Sequence, residues 1–149
     1  MITYINGDAT DPKVDGPKII AHVCNDIGGW GRGFVLALSK RWKQPEQRYR
    51  SWSKSEEFAL GRVLFVNVEA DIIVANMVAQ RDIVRNNGLP PIRYEALREC
   101  LETVQIMAQN TGSTVHMPRI GCGLAGGNWA TVEQIIQSTI TVSTYVYDL

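Results

Sequence analysis

Neither sign of charge is in excess: fifteen Lys and Arg residues are matched by fifteen Asp and Glu residues, for a formal net charge of zero. Non-specific binding to nucleic acid, or to an anionic membrane surface, draws on a summed positive field and is not expected here. A nucleic-acid partner would have to use a local site. Cysteine is scarce too. Cys24, Cys100 and Cys122 form no CxxC pair and leave an odd thiol, so neither a disulfide framework nor a zinc cluster is indicated. No metal ligand set and no cofactor is implied, and a reducing compartment suits the free thiols. No run is long and apolar enough to span a bilayer, and Met1-Ile2-Thr3-Tyr4 opens without the basic region and apolar core of a secretory leader. The expectation is a soluble, cytoplasmic protein without membrane contact. Repeats, low-complexity tracts and linkers are also missing. The 149 residues, 45% of them hydrophobic, therefore read as one domain, 1–149, with a monomer as the default state.

Glycine, by contrast, is concentrated. Pro118-Arg119-Ile120-Gly121-Cys122-Gly123-Leu124-Ala125-Gly126-Gly127 holds four glycines in seven residues. The backbone there can approach a ligand closely and take positive φ. A second such stretch, Asn25-Asp26-Ile27-Gly28-Gly29-Trp30-Gly31-Arg32-Gly33, lies upstream. Each follows a predicted strand and precedes a predicted helix, so each presents bare N–H groups near a helix start, an arrangement that suits phosphate.

The spacing predicts strands over Ile2 to Ile5, Lys18 to Val23, Arg62 to Val68, Ile72 to Met77, Val115 to Met117 and Thr144 to Tyr147. The Lys18 to Val23 run is apolar enough to be covered on both faces, and the short Glu69-Ala70-Asp71 connection suits antiparallel neighbours. Helices are expected over Phe34 to Trp42, from Pro45 to Ser53, over Tyr94 to Asn110 with Gly112 as its terminator, and over Trp129 to Ser138 with Asn128 as its cap. Arg81 to Pro91 reads as a polar loop. Interleaved strands and helices give an α/β fold, a mixed sheet between helical layers. In such sheets ligands gather beyond the carboxyl ends of the strands. Gly121-x-Gly123-x-x-Gly126 matches the dinucleotide fingerprint in letters only. That fingerprint belongs in a βαβ unit with an acid about 20 residues on, and only one short strand remains here.

Four segments together resemble a macrodomain: Asn6-Gly7-Asp8-Ala9-Thr10, Ala21-His22-Val23-Cys24-Asn25-Asp26 with the glycines to Gly33, Met117-Pro118-Arg119-Ile120-Gly121-Cys122-Gly123-Leu124, and Val146-Tyr147-Asp148-Leu149. The resemblance spans essentially the whole chain and is nearest the compact branch that includes terminal ADP-ribose protein glycohydrolase. It implies a three-layer α/β/α fold with a mixed sheet of about six strands, and an ADP-ribose site. Asp8 would accept from the adenine amino group, with the Ala9 amide facing a ring nitrogen. The amides of Gly31, Arg32, Gly33 and Phe34, and those of Gly121, Cys122, Gly123 and Leu124, would hold the diphosphate. Tyr147 and Leu149 would flank the adenine, and Asn25 and Asp26 would lie near the distal ribose.

Other residues keep plainer readings. His22 and His116 lie within strands and read as interior imidazoles, although His22 is close in sequence to Asn25. Cys24 and Cys122 have no identifiable base. Trp30 either covers the distal ribose or packs under its loop.

The best-known chemistry of that branch uses a lysine nucleophile and a loop aspartate. Here Gln80 and Ala125 stand at the matching positions, and no lysine follows Lys54. Glutamine cannot form a Schiff base and alanine cannot move protons. Three functions stay open at this point. The first is a hydrolase that removes mono-ADP-ribose from protein or nucleic acid by water attack, with Asn25 or Asp26 positioning the water and Gln80 and Arg81 on the leaving side. The second is an ADP-ribose 1''-phosphate phosphatase using Arg81 or Arg85. The third is a non-catalytic reader of ADP-ribose.

Overall fold

The computed structural model describes residues 2–84 and 87–149; Arg85 and Asn86, within the expected 81–91 loop, and Met1 fall outside the described residues. Ten elements succeed one another in the order β1 (Ile2–Asn6), β2 (Lys18–Asn25), α1 (Phe34–Arg41), α2 (Gln44–Trp52), β3 (Val63–Glu69), β4 (Ile72–Gln80), α3 (Tyr94–Thr111), β5 (Thr114–Met117), α4 (Trp129–Thr139) and β6 (Thr144–Asp148). One six-stranded sheet runs β1-β6-β5-β2-β4-β3. Every neighbouring pair is parallel except β3 with β4, which the two residues Ala70 and Asp71 join as an antiparallel hairpin.

β2 is central because both its faces are apolar. Ile19 and Ala21 face a core shared with Leu97, Cys100, Leu101 and Val104 of α3 and Val132, Ile135 and Ile136 of α4. Ile20 and Cys24, on the opposite face, join Leu38 of α1 and Tyr49 of α2. Two helical layers therefore enclose the sheet. α3 repeats buried residues at steps of three and four and stops at Gly112, whose φ of 65° is the left-handed turn glycine accepts. The Asn128 side chain caps α4 by accepting from the Thr131 amide at 3.3 Å. β4 continues past the predicted Met77 to Gln80 because Val78 and Ala79 are wholly buried and the pairing with β2 resumes at Gln80 after a register shift that leaves Ala79 without a strand partner. Among the described residues, no helix is long and apolar enough to cross a membrane.

Strand direction decides which residues can meet. β1, β6, β5, β2 and β4 all point the same way, so Asn6, Asp148, Met117, Asn25 and Gln80 end on one edge of the sheet. From β1 to β4 the edge crosses four strand spacings, roughly 19 Å at about 4.8 Å each.

The sheet also carries two buried imidazoles. His22 Nε2 is hydrogen-bonded to Asn76 Oδ1, and Asn76 Nδ2 in turn donates to the Pro45 carbonyl at 3.1 Å. Since the Asn76 oxygen must accept, His22 carries its proton on Nε2. His116 lies between Thr114 Oγ1 at 2.7 Å and the Tyr147 hydroxyl at 2.8 Å, stacked on Tyr145. Burial lowers both to about 4 from an ordinary 6.5, so both are neutral at physiological pH.

A histidine whose folded pKa is depressed contributes stability that is present above the unfolded value near 6.5 and lost as pH falls toward 4. His22 alone should supply on the order of 3 kcal/mol across that window, above the range where the shifted carboxylates of Asp11, Asp71 and Asp148 respond. Urea midpoints measured from pH 7.5 to 4.5 should fall steadily; a flat profile would contradict the burial of these rings.

Candidate functional site

A cleft of about 820 Å³ opens on the carboxyl edge of the sheet, between the loop after β2 and the loop after β5, a size typical of small-molecule sites. The Asn25 side chain organises the first loop. Its Oδ1 accepts from the amides of Ile27 at 3.1 Å and Gly29 at 2.9 Å and from the Tyr49 hydroxyl at 2.9 Å, while Nδ2 donates to the Gly29 carbonyl at 2.9 Å. Tyr49, wholly buried, also donates to the Asn25 carbonyl at 2.6 Å. Trp30 settles beneath this loop: it is buried, donates from Nε1 to Ser39 Oγ at 2.8 Å, and packs on His22 and Tyr49. It does not cover the cleft as a lid.

The amides of Gly31, Arg32, Gly33 and Phe34 make no hydrogen bond among the described residues; Gly33 caps α1 and Phe34 is its first residue, so the last two carry the partial positive charge of a helix start and the first two lead into it. Across the cleft, the amides of Gly121, Cys122, Gly123 and Leu124 are likewise without acceptors among the described residues. The two rows approach each other: a Cβ built on Gly33, whose φ is 76°, would meet Leu124 Cδ1 at 3.8 Å. The second loop is closed by the Gly127 amide donating to the Gly121 carbonyl at 2.7 Å. A Cβ at Gly127 would stand 2.4 Å from that oxygen, so only glycine allows the closure. Arg119 enters this loop with a two-point pairing to Asp148 at 2.7 and 3.0 Å and lies 5.1 Å from the ring centroids of both Tyr4 and Trp129.

At the β1 end, Asp8 Oδ1 accepts from the Thr10 amide at 2.8 Å and the Thr10 hydroxyl at 2.7 Å, and no hydrogen bond engages Oδ2 among the described residues. A smaller cavity of about 290 Å³ is lined there by Asp8, Asp11, Lys13 and Tyr147 among others. Ala9 is buried beside it, whereas Leu149 projects into solvent and lines neither cavity.

At the β4 end the register sets Asn25 beside Gln80. Gln80 lines the cleft, with Nε2 donating to the Asp82 carbonyl at 2.9 Å. Asp26 and Arg81, expected beside the reacting centre, do not line it. Asp26 Oδ1 instead accepts from the Asp82 amide at 2.7 Å, and the Arg81 amide donates to the Pro91 carbonyl at 2.8 Å. Asn25 does line it, but its carboxamide is occupied by its own loop.

No aspartate, glutamate or lysine lines the cleft among the described residues. Its ionisable side chains are Arg32, Arg50, Arg119, His22 and Cys24, and burial pushes the Cys24 thiol well up, so it stays protonated. Burial also raises the Cys122 thiol, which donates to the Ile120 carbonyl at 3.4 Å. Among the described residues no cluster of three or more His, Cys, Asp or Glu could hold a metal ion.

Sequence reasoning missed Arg50, which reaches the cleft from α2 with Nη1 donating to the Gly28 carbonyl at 3.2 Å and Nε paired with Glu46 at 2.9 Å. It also missed Ile83 and Val84, an apolar pair in an otherwise polar stretch, which was a signal available in the sequence.

No protein-family model matches the chain. Among solved structures it is similar to a protein of unknown function from Bacteroides thetaiotaomicron, at 57% identity and a TM-score of 0.98, covering 100% of this chain and 98% of that one. It is also similar to a macrodomain protein from Streptomyces coelicolor, at 48% identity and a TM-score of 0.89, covering 100% and 99%. Among curated proteins it is 33% identical over 159 residues to chromodomain-helicase-DNA-binding protein 1-like of Mus musculus, covering 98% of this chain but only 17% of that relative's length. At lower identity, 24% and 26%, it covers nearly the full length of an ADP-ribose 1''-phosphate phosphatase of Lodderomyces elongisporus (97%) and most of a human ADP-ribose glycohydrolase (90%).

The Asn25 contacts predict that Asn25→Ala, which deletes four hydrogen bonds and leaves the Ile27 and Gly29 amides and the Gly29 carbonyl short of a partner while Tyr49 keeps the Asn25 carbonyl, lowers unfolding free energy by about 2–3 kcal/mol. Urea unfolding checks this; an unchanged midpoint would mean that the loop is held by something else.

Proposed function

Because this chain belongs to the macrodomain family, we propose that it binds ADP-ribose along the carboxyl edge of the sheet and hydrolyses the bond at the distal ribose of mono-ADP-ribosylated protein or nucleic acid. The observation that carries the binding reading is the strand order. It lays an unsatisfied Asp8 oxygen at one end, two facing rows of free amides in the middle and Gln80 at the other, over roughly 19 Å. A base, a diphosphate and a second ribose succeed one another in the same order.

In this reading the adenine amino group donates to Asp8 Oδ2, the Ala9 amide faces a ring nitrogen, and the Tyr147 ring forms a wall. The diphosphate lies between the amides of Gly31, Arg32, Gly33 and Phe34 and those of Gly121, Cys122, Gly123 and Leu124, with Arg32 beside it. Arg32 makes no ion pair among the described residues, so its charge is available to the ligand. The distal ribose reaches Asn25 and Gln80.

Hydrolysis adds one water across the bond between the ribose anomeric carbon and the attached group, giving free ADP-ribose and the unmodified carboxyl or nucleotide group. Water is the nucleophile because no lysine lines the cleft among the described residues. Gln80 Oε1, opposite the amide nitrogen tied to Asp82, is the acceptor that holds this water. The glycohydrolase and phosphatase names of full-length relatives support a hydrolytic role. Asp26, Arg81 and Leu149 have no direct contact with the ligand in this account.

One observation favours a second reading. Among the described residues no carboxylate lines the cleft, which leaves no side chain there suited to general-base work at neutral pH apart from a buried His22; that is what a reader of ADP-ribose would need and no more.

Titration calorimetry should show ADP-ribose binding that weakens tenfold or more, about 1.4 kcal/mol, in Asp8→Ala; equal affinity would remove adenine from the Asp8 end. Incubation with glutamate-modified protein, ADP-ribosylated DNA and ADP-ribose 1''-phosphate should release ADP-ribose from at least one of the first two. Binding without any product would leave the reader, and product from the phosphate ester alone would make the protein a phosphatase.

A further inference from the structure

Beyond β4 the backbone does something a side-chain-bearing residue avoids. Asp82 takes φ of 59°, in the left-handed region, at a cost of about 1–2 kcal/mol for a residue with a Cβ. Three hydrogen bonds hold it there. Its amide donates to Asp26 Oδ1 at 2.7 Å, its carbonyl accepts from Gln80 Nε2 at 2.9 Å, and its own Oδ1 accepts from the Ile83 amide at 2.6 Å. The first of these comes from the loop after β2 and, with a carboxylate as acceptor, is charge-assisted; it is the one that ties Asp82 to a neighbouring strand's loop.

The turn forced at Asp82 has a direct outcome. It brings Ile83 and Val84 to the wall of the main cleft, although they remain 57% and 60% exposed. Aliphatic side chains left that open gain free energy when a ligand covers them. Asp26 itself does not line the cleft.

We infer that Asp26 is a positioning residue for the distal end of the ligand: it acts through Asp82, whose left-handed turn it fixes, and thereby holds Ile83 and Val84 against the distal ribose. The inference rests on the ADP-ribose reading for the identity of that ligand. It replaces the direct, water-positioning role expected of Asp26 with an indirect one. It also assigns a purpose to the amide nitrogen of Gln80, a cleft residue, which grips the same residue from the other side. The selectivity of the site for what is attached to the ribose then depends on two aliphatic side chains, not on a charge.

Calorimetry with ADP-ribose and with ADP, which lacks the distal ribose, tests this on the full chain. Asp26→Ala should weaken ADP-ribose binding about three- to tenfold and leave ADP binding unchanged. Asp26→Asn should restore the difference, since its amide oxygen still accepts from the Asp82 amide. Ile83→Ser with Val84→Ser, at exposed positions that do not endanger folding, should reproduce the selective loss. Equal losses for both ligands in Asp26→Ala, full ADP-ribose affinity in the double serine variant, or an Asp26→Asn as weak as Asp26→Ala would each overturn the inference. If wild-type protein binds neither nucleotide, it is the ADP-ribose reading that fails, and amide exchange then decides the latch: faster exchange at 82–84 in Asp26→Ala supports it, and unchanged exchange overturns it.

Discussion

Parallel pairing of β2 with its neighbours β4 and β5 is the constraint on which the rest of the molecule depends. Parallel strands cannot be joined by tight turns, so helices must carry the chain back across the faces, and those helices bury both sides of β2. The same constraint gathers the strand ends on one edge and makes the loop after each strand a neighbour of the next. Neither glycine loop could face the other if β5 ran in the opposite sense. The antiparallel β3 adds width to the sheet but contributes nothing to the cleft.

The site that results is electrostatically unusual in what it uses. Its attraction for an anion comes from backbone amides and a helix start, supplemented by arginines, two of which are already tied to Glu46 and Asp148. Burial keeps its imidazole and its deeper thiol neutral. Backbone donors fixed by glycine geometry need no reorganisation when a phosphate arrives. They also transfer no proton, so suitability for an anion and weak acid–base capacity share one origin.

Much of this was legible before the fold was known, and unevenly so. Local chemistry was written in single residues: Gly112 and Asn128 ended and began their helices where composition placed them, and the glycine clusters announced both loops. Strand order was not written anywhere locally. Nothing in Ile2 to Ile5 says that it pairs in parallel with Thr144 to Asp148, because that choice is made by packing across the whole sheet. The roles of Asp26 and Asn25 were obscured for a related reason. Both sit where β2 gives way to its loop, but whether a polar side chain faces the cleft or its own backbone depends on loop curvature, and here Asn25 turns inward while Asp26 turns toward Asp82. Arg50 was invisible because α2 approaches the cleft only through the tertiary fold.

The pairing of β1 with β6 carries one more implication, for the order in which the molecule comes together. Ile2 lies opposite Thr144, and Asn6 opposite Asp148, so the edge strand that leads to Asp8 waits for β6, about 140 residues on, before it has a partner. Contacts so distant in sequence close late, after the loop entropy between them has been overcome. During synthesis the two glycine loops can therefore already face each other while β1, and with it the placement of Asp8, still waits for β6.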